Sequence, residues 1–253
     1  MHKSIQVFLS LYLLSLWMFP LPAETKNKPQ RGAVILELFT SQGCSSCPPA
    51  DRLMNNIFRE ATDKNLSVYP LAFHVDYWNY LGWIDPFSLK EYSHRQRQYG
   101  KIYKWGTIFT PQVVANGQYS ISGNDKEVIH KRINNLMDRP SPIKLQLKIG
   151  EEKNNKIVIQ YVLDKFLDNL LLNLALVEHG LFIDITAGEN AGLKANYDNV
   201  VRMFKSFPLK KKEGSFELPL DPKLNLDKTD IIGFVQDAEL MFIFAADKVN
   251  LQK

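Results

Sequence analysis

The two cysteines of this 253-residue chain stand close together, as Cys44-Ser45-Ser46-Cys47, at the junction of two patterns of different period. Residues 33–39 (AVILELF) are an apolar run of strand length, and Thr40-Ser41-Gln42-Gly43 is a turn. From Ala50 onward, Leu53, Met54, Ile57, Phe58 and Ala61 recur at helical spacing. Pro48 and Pro49 fit only the first turn of that helix, where backbone N–H groups have no intrahelical partner. The predicted order is strand, turn, cysteine pair, helix, with Cys44 at the helix N-terminus. There the helix dipole and free N–H groups favour a thiolate. Cys44 is therefore the candidate attacking sulfur and Cys47, one turn inside, the resolving one.

What a lone cysteine pair does depends on its compartment. Met1-His2-Lys3 is a short basic start, residues 5–19 are almost wholly apolar, and Pro20-Leu21-Pro22-Ala23 ends the run. An apolar core shorter than the roughly 20 residues that span a bilayer reads as a secretory signal peptide over residues 1–23, with an uncleaved anchor as the alternative. Residues 24–31 (ETKNKPQR) form a polar tether. The expected mature protein is exported, periplasmic or extracellular, and has no stable membrane span. Structural disulfides in such compartments brace the fold by closing long loops. This pair closes almost none, so it points to redox chemistry. The formal charge of +4 comes from scattered lysines, of which Lys210-Lys211-Lys212 is the densest run and reads as a solvated turn. Nothing in that distribution supports nucleic acid as a partner.

A second motif follows about sixty residues later. Thr110-Pro111 opens a strand, Asn116-Gly117 is a two-residue hairpin turn, and residues 118–122 return. A helix starts at Asn124-Asp125, with Val128, Ile129, Ile133, Leu136 and Met137 as its apolar face. With a strand at residues 68–75, the order is β-α-β followed by β-β-α. A C-x-x-C at the first helix and a Thr-Pro at the first hairpin strand together resemble the thioredoxin superfold. That resemblance implies a cis Thr110–Pro111 bond facing the cysteines, and a Thr110 backbone that pairs with an extended substrate; an edge-strand proline is the plainer alternative.

Longer strings are similar to those of a bacterial family of exported thioredoxin-like proteins, domain of unknown function 1223. They are residues 37–51 (ELFTSQGCSSCPPAD), His74-Val75-Asp76-Tyr77-Trp78, Tyr80-Leu81-Gly82-Trp83, Thr110-Pro111-Gln112, Glu189-Asn190-Ala191-Gly192 and Asn199-Val200-Val201-Arg202. Asn79 departs from that pattern, which implies an acidic residue there.

Residues 77–105 form an insertion crowded with aromatic rings, and every tryptophan outside the signal lies in it. Ser88 and Glu91 make a capping-box pattern, so a helix is expected from there toward Lys104. Its rings either pack that helix or form a wall beside Cys44, with Trp78, Trp83 and Trp105 as candidate substrate contacts. Glu37, on the strand entering the motif, is either a proton relay or a hydrogen-bonded structural carboxylate. Its offset is one residue from that of the relay acid in thioredoxins, and one residue reverses a strand's face. His74 and Asp76 share a strand face, and His74 reads best as a structural histidine. A rival reading makes Cys44, Cys47 and His74 the ligands of copper or zinc in a delivery protein. A non-catalytic binding module is the third.

Beyond Arg139-Pro140-Ser141-Pro142 the texture changes. Ile143, Leu145, Leu147 and Ile149 alternate with polar residues, and strands are expected at residues 156–163, 170–177, 200–207, 215–220, 231–236 and 241–246. The Gly- and Asn-rich loop at 184–199 reads as a long structural turn. The expected architecture is an α/β thioredoxin-like domain (32–140) with an aromatic insertion, followed by an all-β sandwich-like domain (141–253). The expected function is exchange with protein thiols or disulfides, with no cofactor beyond the Cys44–Cys47 disulfide itself.

Overall fold

The computed structural model describes residues 31–251; the expected signal peptide and nearly all of the expected tether lie outside the described residues. Strand β1 (Val34–Thr40) is buried at all seven positions, which is why its sequence is a continuous apolar run rather than an alternation. It pairs parallel with β2 (Val68–His74) and antiparallel with β3 (Gln112–Ala115), which turns through Asn116-Gly117 into β4 (Tyr119–Ser122). Both turn residues have positive φ. Helices α1 (Pro48–Asp63) and α3 (Lys126–Met137) cover one face, where Val34, Leu36 and Leu38 meet Ala50, Met54, Ile57, Ile129 and Ile133. Helix α2 (Lys90–Ile102) covers the other, where Ile35, Phe39 and Phe73 meet Tyr92 and Tyr99. The capping box expected at α2 does not form. Leu89 is its N-cap without a side-chain bond, and the Ser88 hydroxyl donates to the Asp85 carbonyl instead.

The strands expected after Pro142 are present, but four of them continue the sheet that β1 begins. These are β7 (Leu170–Glu178), β10 (Val200–Pro208), β12 (Thr229–Asp237) and β13 (Ile243–Asn250), in the order β13-β12-β7-β10-β2-β1-β3-β4. The join is one short parallel contact, Val200 opposite Ala72, with the Ala72 N–H donating to the Asn199 carbonyl at 2.9 Å. Strands β5 (Leu145–Lys153), β6 (Lys156–Leu163) and β11 (Glu213–Pro219) make a separate three-stranded sheet. It packs Leu145, Leu147, Ile159 and Leu218 on Leu172, Leu174, Leu176 and Val235 of the large sheet.

The two sequence halves are also sealed at the β3–β4 turn. A Cβ on Gly117 would lie 1.9 Å from the Met241 carbonyl oxygen, so only glycine fits there. The result is a mixed α/β molecule built on one large mixed sheet. Two further strands, β8 (Leu181–Asp184) and β9 (Lys194–Tyr197), form a hairpin whose connection and second strand fall in the loop predicted as a turn. It lies beside α1, where the Asn55 amide donates to the Asn196 carbonyl at 2.8 Å. No helix among the described residues is long and apolar enough to cross a membrane.

Candidate functional site around Cys44 and Cys47

The turn after β1 delivers the cysteines to the start of α1. Cys47 is the N-cap, Pro48 and Pro49 open the helix, and the Cys47 carbonyl accepts from the N–H groups of Ala50 and Asp51. Cys44 lies one turn earlier, its N–H donating to the Ser41 carbonyl at 3.1 Å. The two sulfurs are joined in a disulfide. Both residues are enclosed, with Cys44 only 2% exposed and Cys47 fully buried.

The covering groups come from separate elements. The Thr110–Pro111 peptide is cis. A Cβ on Gly123 would sit 2.8 Å from the Pro111 Cβ and 2.9 Å from that of Ala50, so Gly123 is wedged between Pro111 and the first turn of α1. The Thr110 hydroxyl donates to Cys44 Sγ at 3.2 Å and accepts from the Trp78 indole N–H at 2.7 Å. That chain of donors points at the sulfur, and it strengthens if the sulfur carries charge. The Trp83 indole N–H donates to Gln42 Oε1 at 2.8 Å, immediately before the motif. From the C-terminal half, the Asn190 amide donates to the carbonyls of Gln42 and Cys44 at 2.8 and 2.9 Å, and Glu189 accepts from the Ser45 N–H at 3.3 Å.

Beneath the pair lies a buried set of ionisable side chains. Asp51, four residues after Cys47 and hence on the same side of α1, accepts from the Thr40 hydroxyl at 2.7 Å. Burial, against the pull of His74, pushes its carboxyl up to about 6. His74 Nδ1 pairs with Asp85 Oδ2 at 2.7 Å, and the same oxygen accepts from the Gln42 N–H at 2.8 Å. Burial alone would lower the imidazole and raise the Asp85 carboxyl. Their mutual attraction outweighs it, so His74 titrates above its ordinary range and Asp85 below. His74 Nε2 is buried with no hydrogen-bond partner among the described residues, and the ring meets Phe87 and Tyr197 edge-on. A cleft of about 270 Å³ between α1 and β9, lined by Pro48, Asp51, Arg52, Asn55 and Tyr197 among others, connects Asp51 to the surface.

Several expected site residues go elsewhere. Glu37 turns to the α2 face, away from the cysteine-bearing helix, because β1 sends Leu36 and Leu38 to α1. Both of its oxygens accept from the buried Arg95 guanidinium, and one also accepts from Tyr99. Asp76 is not the partner of His74; it accepts from Ser93. Trp105 stacks with Tyr99 and Tyr103 in the α2-side core; Trp78 packs on that core as well, but its indole N–H reaches Thr110. Among the described residues no three His, Cys, Asp or Glu side chains converge as metal ligands.

A family model described as a protein of unknown function, DUF1223, matches residues 35–236, a span that includes the cysteine turn, the aromatic insertion and the Asn190 loop. The chain belongs to that family. No curated protein matches it. Among solved structures, it is similar to the crystal structure of an Agrobacterium tumefaciens protein, at 24% identity and a TM-score of 0.68, over 88% of this chain and 97% of that one. That likeness speaks for the fold alone. A domain of the outer membrane lipoprotein Omp28 from Porphyromonas gingivalis is matched at 13% identity and a TM-score of 0.27, over 42% of this chain and 93% of that one, too weak to carry an argument.

Asp51, Asp85, Glu189 and Asn190 are the site residues that sequence reasoning passed over. Asp51 had a usable signal, since an acid four residues after Cys47 lies on its helix face. Glu189 and Asn190 stood in one of the family's strings with no role attached, and they and Asp85 reach the site through tertiary contacts that no periodicity marks.

Proposed function

We propose that this protein is an exported thiol-disulfide oxidoreductase whose N-terminal half is thioredoxin-like and exchanges disulfides with protein partners through Cys44 and Cys47. One observation carries the reading: the Thr110 hydroxyl, itself fixed by Trp78, donates to the sulfur of Cys44, which is bonded to the cysteine that caps the α1 N-terminus. A disulfide that served only as a brace would gain nothing from a donor aimed at one of its sulfurs. Export rests on the signal-like segment at residues 1–23, and the sheet formed by β5, β6 and β11 over the large sheet supports a sandwich-like C-terminal half.

In the reducing direction, the Cys44 thiolate attacks one sulfur of a partner disulfide. The partner's S–S bond breaks, its second sulfur leaves as a thiolate, and a mixed disulfide forms. Cys47 then gives up its proton and its sulfur attacks Cys44 Sγ. The partner's first sulfur leaves and the Cys44–Cys47 bond re-forms, so two electrons pass to the partner. Oxidation of a partner is the same sequence reversed. Asp51, one turn below Cys47 and titrating near 6, is the group suited to take that proton, and its cleft opens a route to water. Glu37, neutralised by Arg95 on the opposite face, has no part in this reading.

The assignment is tested by expressing Cys47→Ser and Cys44→Ser in an exporting compartment, quenching with acid and comparing non-reducing gels. Cys47→Ser should accumulate covalent partners, because the step that breaks the mixed disulfide is lost. Cys44→Ser should capture almost none. Equal, empty lanes from folded, exported variants would overturn the oxidoreductase reading.

A further inference from the structure

The loop between β8 and β9 comes from far along the chain and lies across the cysteine turn. It is locked there in three ways. Gly188 has positive φ and is packed so closely that a Cβ would lie 2.9 Å from the Trp83 Cβ. Asn190 bridges the carbonyls of Gln42 and Cys44. The Glu189 carboxylate lies on the N–H of Ser45, the residue that follows Cys44. The other ionisable groups around the motif, Asp51, His74 and Asp85, all lie beneath it in the core. Glu189 is thus the one charged group brought to the motif from the solvent side among the described residues that contact it.

We propose that the 188–190 strap sets the redox character of the pair: Asn190 positions the Cys44 turn and restricts access to its sulfur, while the Glu189 charge opposes formation of the Cys44 thiolate. The inference rests on the oxidoreductase reading and adds a second controlling element to it. A helix N-terminus and the Thr110 hydroxyl draw negative charge onto Cys44; a fixed carboxylate beside Ser45 works against both. The balance keeps Cys44 a weaker acid than its helix position alone would make it. By linkage, the reduced pair is stabilised less and is the stronger electron donor wherever the thiolate is the reacting form. Asn190 acts differently, since its two hydrogen bonds fix backbone and carry no charge.

The test uses the full mature protein, reduced with dithiothreitol, with two readouts. The acidity of Cys44 comes from thiolate absorbance and from the pH dependence of alkylation by iodoacetamide. Redox poise comes from equilibration with glutathione buffers above the thiol's pKa. Glu189→Gln keeps an acceptor for the Ser45 N–H and removes only the charge. It should lower the Cys44 pKa by about half a unit, the size of one nearby charge acting through a watery environment. The corresponding threefold change in the glutathione equilibrium is a rise in potential of about 15 mV. High salt should lower the parent's pKa toward that of the variant and leave the variant where it is. Asn190→Ala should leave the pKa near the parent's and speed alkylation severalfold, because the cover over Cys44 is loosened. An unchanged pKa in Glu189→Gln, beside a parent that exchanges normally, would overturn the strap proposal and leave the oxidoreductase reading standing. A pair that dithiothreitol and glutathione fail to reduce in the folded protein would overturn both.

Discussion

Asp51 shows how a carboxyl buried beneath the cysteines weakens a fold once it is charged. Its carboxyl holds a proton up to about pH 6 in the folded protein, against an ordinary value of 3.8. Between those values the folded state binds more protons than the unfolded chain, so stability falls as pH rises through that window. The full stability is present below about pH 4 and the deficit is complete above about pH 7. A shift of about two units corresponds to roughly 3 kcal/mol. Asp51→Asn retains an acceptor for the Thr40 hydroxyl and removes the charge. Urea unfolding should find it more stable than the parent by about 2–3 kcal/mol at pH 7.5 and nearly equal to it at pH 3.5. The same variant should resolve mixed disulfides more slowly and lose any rate inflection near pH 6. A stability difference that did not change with pH would remove the carboxyl charge from the explanation.

At the scale of elements, Trp78 and Trp105 both pack on the α2-side core, but only Trp78 is linked to the disulfide by hydrogen bonds. Trp78 is two hydrogen bonds from Cys44 Sγ through Thr110, whereas Trp105 is stacked in the α2-side core. Reduction of the disulfide should change tryptophan emission in the parent and in Trp105→Phe, and the change should be largely lost in Trp78→Phe. A response that vanished with Trp105 instead would mean the wrong ring faces the site. The elements also show where sequence was readable. The Pro48-Pro49 helix start, the Asn116-Gly117 hairpin and the Asp125 cap are local, written within a few residues, and each stands where its pattern placed it, although the helix opens at Cys47 as N-cap and leaves Cys44 one turn before it rather than at its N-terminus. Glu37 was ambiguous because strand parity decides its face, and parity is fixed only by which side α1 packs. Strands β8 and β9 are four residues each and half-exposed, with too little alternation to distinguish them from a turn.

For the whole molecule, the decisive feature is one sheet drawn from both halves of the sequence. Seven of the C-terminal strands were legible one by one, but their order was not. The β10–β2 join is a single register pair, and no periodicity encodes which strands become neighbours. The buried Glu37–Arg95 pair is completed by Gln236 of β12, so a fragment ending near Arg139 would expose both charges as well as the edge of β2. Residues 31–140 alone should therefore lack a cooperative thermal transition by circular dichroism, while residues 31–251 should unfold in one. A fragment that melted cooperatively with native-like amide protection would argue that the halves are independent. The strand order also acts in time, since a chain is made from its N-terminus. Until Val200 emerges, β2 is a bare edge, open to any strand that meets it. Until Asn190 follows β8, the cysteine turn lacks its cover. For well over a hundred residues of synthesis, then, the thiols stand open to whatever oxidant or guardian the surroundings provide, and the late arrival of the C-terminal segments closes that interval.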